Sequence, residues 1–124
     1  MIQKEFIPYE EALALKELGF DDPCFTHYLN SVLLKNSLVV NKREINSCFD
    51  QIRVAAPLYQ QTFRWFREKY EYEISIHKLI EEDGYMASIG WEGVKDIMEQ
   101  VEGTTYEEAE LFCLQQMIIL CKQN

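Results

Sequence analysis

The chain has 124 residues, 48% hydrophobic, 27% charged and 13% aromatic, proportions that suit a folded domain and exclude a disordered tail. Twenty-one acids against twelve bases give a formal charge of −9, which repels phosphate backbones at long range and argues against a non-specific nucleic-acid coat. No stretch is apolar for the roughly eighteen residues a membrane span needs, and the opening MIQKEFIPYEE lacks the basic and apolar regions of a secretory signal, so the cytoplasm is the expected location.

With five glycines, three prolines and no low-complexity stretch, no linker can be drawn, and residues 1–124 read as a single domain. Cys24, Cys48, Cys113 and Cys121 form no CxxC pair and read as small apolar thiols of a reduced core. Cys113 and Cys121 lie eight residues apart on one expected helix, about 12 Å along its axis, too far to bond to each other.

The first helix is announced by Ile7-Pro8-Tyr9-Glu10-Glu11, a proline suited to the opening turn followed by carboxylates at the positive end of the helix dipole. Ala12, Leu15 and Leu18 supply an apolar face, Gly19 the left-handed residue that ends a helix, and Phe20 the side chain that folds back on the last turn. Asp21-Asp22-Pro23 is turn chemistry. Between Cys24 and Val40, CFTHYL and SLVV read as short strands of a hairpin turning at Lys35-Asn36. Asn41 to Val54 reads as an irregular connection.

A second helix runs from Pro57, again an opening proline, to about Tyr70. Tyr59, Thr62, Phe63, Phe66 and Tyr70 follow the spacing of a buried face, Gln60, Arg64 and Arg67 fall on the opposite side, and Trp65 stands at the border. Tyr72, Ile74 and Ile76 alternate with Glu73, Ser75 and His77, and Tyr85, Ala87, Ile89 and Trp91 alternate after the turn Glu81-Glu82-Asp83-Gly84, so the two runs predict an antiparallel hairpin. Val94 to Val101 fits a short helix or an edge strand. Thr105 with Glu108 forms a capping box before a last helix that is apolar nearly all round, one that requires cover from the sheet and from a neighbouring helix or a second subunit. The string YEEA at Tyr9 and again at Tyr106 is convergent use of acids in a first turn.

The expected fold is therefore α+β, three main helices on a small antiparallel sheet. From Pro57 onward the order helix, hairpin, further element, helix is that of a double-stranded-RNA-binding domain, although the last helix begins with acids where such a domain would carry lysines.

No catalytic, metal or cofactor signature is present: His27 and His77 stand apart from any HExxH or Cys/His cluster, and neither a phosphate loop nor a GxSxG elbow occurs. An enzyme is not expected. Gln60, Arg64, Arg67 and Trp65 mark a candidate interaction face, since Gln and Arg are the types that read base edges; the net charge and the lack of a helix-turn-helix companion favour a solvated face instead. The strings FIPYEEALALKELGFDDPCF, APLYQQTFRWFREKY and TYEEAELFCLQQMI resemble those of a family of short uncharacterised proteins associated with phages and prophages of gut bacteria. That resemblance implies a mobile-element origin and an intracellular site, and brings no activity with it. The leading expectation is a non-enzymatic module that binds a protein partner or itself; the alternatives are a nucleic-acid binder using the Gln60/Arg64/Arg67 face and an acidic DNA mimic that inhibits a host enzyme.

Overall fold

The computed structural model describes residues 2–34, 44–91 and 97–123. It resolves into two compact units, 1–62 and 63–124, with the boundary inside one helix.

In the first unit a short 3₁₀ turn, Ile2–Glu5, leads to helix α1, Tyr9–Leu18. Pro8 takes the N-cap position itself, with ψ 160°, and its carbonyl accepts from the Ala12 amide. Gly19 closes the helix at φ 98°, and the Phe20 amide bonds back to the Leu15 carbonyl while its ring is buried, as the sequence predicts for such a stop. Strands β1, Thr26–Leu29, β2, Val32–Leu33, and β3, Arg53–Ala56, form an antiparallel sheet in the order β2-β1-β3. The β1–β2 hairpin turns at Asn30-Ser31, whose φ values of 51° and 67° are those of a two-residue turn matched to strand twist. The expected turn at Lys35-Asn36 and the strand SLVV lie outside the described residues.

One expectation is corrected here. The stretch expected to be irregular up to Val54 holds a 3₁₀ turn, Asn46–Cys48, and the start of β3. Val54, Ala55 and Ala56 are buried, a short apolar run of the kind that periodicity does not reveal. Asn46, itself buried, donates from Nδ2 to the Phe20 carbonyl at 2.8 Å and accepts the Ala55 amide at 2.9 Å, which joins the end of α1 to β3. Lys16 adds a second tie, its ammonium donating to the carbonyls of Asp50 and Arg53, both at 2.9 Å.

Helix α2 spans Tyr59–Tyr70, so Pro57 stands two residues ahead of it; the Pro57 carbonyl accepts the Ile7 amide. Its first turn is secured by the Gln61 side chain, which accepts the Leu58 amide, and by Thr62, whose hydroxyl donates to the Leu58 carbonyl.

The second unit continues with β4, Tyr72–Lys78, β5, Tyr85–Trp91, and β6, Ile97–Gly103, antiparallel in sequence order, and ends in α3, Tyr106–Lys122. The hairpin expected around Asp83-Gly84 is present; of the stretch expected as a short helix or an edge strand, Ile97 to Val101 lie in β6 and 94–96 fall outside the described residues. The run helix, three strands, helix matches the expected order, and the fold is α+β; among the described residues it has three α-helices and two three-stranded antiparallel sheets where one small sheet was expected. One face of the β4-β5-β6 sheet is covered by α3 through Ala109, Cys113, Leu114, Met117, Ile118 and Cys121. Phe66 stacks on Tyr72 with ring centroids 6.3 Å apart, and the Tyr72 hydroxyl lies 3.8 Å from Cys121 Sγ, so aromatics from the end of α2 close this core. On the opposite face Glu73, Ser75, His77, Gln100 and Glu102 of the two outer strands are exposed, while Ser88 of the central strand is buried between them.

Candidate functional site

The four residues singled out on α2 do not share one environment. Gln60, Arg64 and Arg67 are exposed along the helix, whereas Trp65, placed at the border by the sequence, is only 7% exposed, with its ring edge-on to Phe66 and beneath the Lys69 ammonium at 4.9 Å. Trp65 is a packing residue, and the wet face of α2 is polar without an aromatic in it.

A different region of the second unit gathers the features of a contact surface. Lys78 pairs with Tyr85, leaving Leu79 to Gly84 as a six-residue loop closed by a hydrogen bond from the Leu79 amide to the Gly84 carbonyl. At its tip Ile80 is 98% exposed, the most exposed large apolar side chain among the described residues. A depression of about 480 Å³ lies beside it, lined by His77, Lys78, Leu79, Ile80, Glu81, Glu82 and Glu102. Leu79, Glu82 and Glu102 also line an adjoining depression of about 330 Å³, which runs past Gly103 and Thr104 to Glu108 and Phe112 at the start of α3. The two depressions share Leu79, Glu82 and Glu102, and together they set the apolar side chains Leu79, Ile80 and Phe112 beside Glu81, Glu82, Glu102 and Glu108, with Lys78 the one lysine in the lining.

Local backbone chemistry holds Glu108 in place. Thr105 caps α3 by accepting the Glu108 amide at 3.1 Å, as expected, but the return half of the box is displaced by one residue: Glu108 Oε1 accepts both the amide and the hydroxyl of Thr104, each at 2.9 Å. Those two bonds hold the Glu108 carboxyl below its ordinary 4.5. Gly103 permits the close approach of β6 to α3, because a Cβ there would lie 2.6 Å from the Ala109 amide nitrogen. Tyr85 and Tyr106 pack edge-to-face with centroids 5.7 Å apart, fixing the helix start against β5.

The charge is concentrated in this unit. Residues 63–124 carry thirteen acids and six bases, a formal −7, against eight acids and six bases, a formal −2, in residues 1–62. Burial and neighbouring acids together shape the thiols. Burial first, and then Glu110, pushes Cys113 from 9.0 up to about 12; burial, with Asp22 and Glu44, does the same to Cys24. Cys121 is likewise raised by burial, so these three thiols stay protonated and are poor nucleophiles, whereas Cys48, expected in a core, is exposed. His27, expected to stand alone, pairs with Glu44 at 2.6 Å and tilts over Phe49 at 4.8 Å. Among the described residues no three His, Cys, Asp or Glu side chains are placed to hold a metal ion, and no helix is long and apolar enough to cross a membrane.

The sequence marks Glu81-Glu82-Asp83-Gly84 only as a turn, with Leu79 at the end of the strand before it. The signal passed over there is Ile80, a large β-branched side chain in a loop of acids, where turn chemistry asks for small or polar residues. Comparison with protein-family models, with curated proteins and with solved structures found no match.

Proposed function

We propose that this protein is a non-enzymatic interaction module that captures a basic segment of a partner protein at the hairpin end of its second unit. The observation that carries this reading is Ile80, fully presented to solvent at the mouth of a trough whose lining includes Glu81, Glu82, Glu102 and Glu108. An apolar anchor beside charge that is mostly of one sign, here four glutamates with a single lysine, Lys78, has the anatomy of a contact surface: the anchor supplies affinity on desolvation, and the carboxylates supply orientation and a faster encounter. A partner segment with lysines or arginines flanking one large apolar residue complements both parts. Covering Ile80 is worth about 2 kcal/mol, or more than tenfold in dissociation constant. Each exposed carboxylate adds less than about 1 kcal/mol, and that part weakens with salt.

Support for a protein partner over nucleic acid comes from the same charges, since the formal −7 of this unit repels a phosphate backbone. A mobile-element origin, as the resemblance implies, accords with a small module acting on a host protein. Fluorescence anisotropy tests the reading with three probes: a labelled basic peptide bearing a central leucine, the same peptide with serine there, and a short duplex. Binding of the first, weakened about tenfold by Ile80→Asp and by loss of the leucine, is the expected result. Preferential binding of the duplex at low salt, abolished by Arg64→Ala with Arg67→Ala, would instead establish the nucleic-acid alternative.

A further inference from the structure

The outer side of α3 carries a pattern that neither the core nor the hairpin end uses in full. The buried residues of the helix, from Ala109 to Cys121, occupy the side that meets the sheet. Around the other side Glu108, Phe112, Gln115, Ile119 and Lys122 recur at alternating steps of four and three, the spacing of a helix-pairing seam. Phe112 and Ile119 are 37% and 47% exposed and stand one heptad, about 10 Å, apart along the axis. Glu108 at one end of the seam and Lys122 at the other are exposed and opposite in charge.

Reversing this seam end to end exchanges its two charges and its two apolar residues, so it complements itself in the antiparallel sense alone. Set parallel to its copy, it would bring Glu108 beside Glu108 and Lys122 beside Lys122, and would align the two helix dipoles unfavourably. We propose that α3 pairs antiparallel with α3 of a second copy of this chain, about a two-fold axis passing between Gln115 and Gln116. Phe112 of one protomer then packs on Ile119 of its partner, the glutamines meet at the axis, and each Glu108 comes within one residue of level with the opposing Lys122. Such an isologous contact uses the same patch twice and closes at two chains. The 17-residue helix is only about 26 Å long and offers less than the roughly 800 Å² per partner of a standard interface, so pairing is reversible and depends on concentration. Glu108 and Phe112 belong to both the seam and the far end of the trough, whereas Ile80 and the depression beside it lie outside the seam, and the pairing does not rest on the peptide-capture reading.

Sedimentation equilibrium of the full chain over a wide concentration series tests this. A monomer–dimer equilibrium is expected, weakened at least tenfold by Ile119→Lys and several-fold by Lys122→Glu, the latter effect shrinking at high salt. Glu108→Gln retains an acceptor for Thr104 while removing the charge, and should weaken the dimer less than Lys122→Glu, which creates repulsion. Circular dichroism confirms that each of these surface variants is folded, and Ile80→Asp should leave the equilibrium unchanged. A monomer at every concentration, a dimer insensitive to Ile119→Lys, or a dimer tightened by Lys122→Glu would overturn the proposal.

Discussion

Asn46 makes two buried hydrogen bonds with a single side chain, and its removal breaks both and takes the side-chain acceptor from the Ala55 amide in a region closed to water. An unsatisfied buried polar group costs about 1–3 kcal/mol. Asn46→Ala is therefore expected to lower the unfolding free energy by about 2–3 kcal/mol, measured by urea denaturation, a large loss for one surface-distant polar residue. The thiols give a second test at this scale. A thiol raised from 9.0 to about 12 on folding, as Cys24 and Cys113 are, favours the neutral form in the native state. Its contribution is fully present below pH 9 and is lost as pH rises toward 12, so stability should fall over that alkaline window. At neutral pH an alkylating reagent should modify one cysteine quickly, Cys48, and reach Cys24, Cys113 and Cys121 only on unfolding, as mass spectrometry of the labelled peptides will show.

The junctions between elements carry the next set of consequences. At Gly103 the strand runs so close to the first turn of α3 that Gly103→Ala must move the helix start, at a cost of about 1–3 kcal/mol, visible as a lower denaturation midpoint. Between α2 and β4 the reverse applies. Glu71 ends the helix in the left-handed region at φ 61°, its amide bonded to the Arg67 carbonyl, a conformation natural to glycine and strained for a side chain. Glu71→Gly is expected to raise stability by up to about 1 kcal/mol, and an unchanged or lower midpoint would show that the strain is compensated. What sequence made legible at this scale follows the same physics. Local chemistry marked Gly19 and Thr105 because a positive φ and a capping oxygen each have few residues that can supply them. The β4–β5 hairpin was legible because one of its faces is wet and its side chains alternate. β3 was not, because Val54-Ala55-Ala56 is buried throughout and shows no alternation. The candidate site was hidden for a further reason. Gln60, Arg64 and Arg67 announce themselves by type along a helix, whereas the trough draws Ile80, Glu102 and Phe112 from a loop, a strand and a helix that only the sheet brings together.

For the molecule as a whole, the uneven distribution of charge matters more than its total. The formal charge is −7 on the unit that carries Ile80 and −2 on the other, so under the proposed reading a positively charged partner is steered to the second unit, where Ile80 is exposed. The most direct measurement is amide chemical-shift mapping on the full chain, titrated with the basic leucine-bearing peptide at near-physiological salt. The shifts should concentrate at Leu79–Gly84, Glu102–Thr104 and the first turns of α3. Shifts centred on Gln60, Arg64 and Arg67, or none at saturating peptide, would contradict the assignment of the hairpin end as the binding surface.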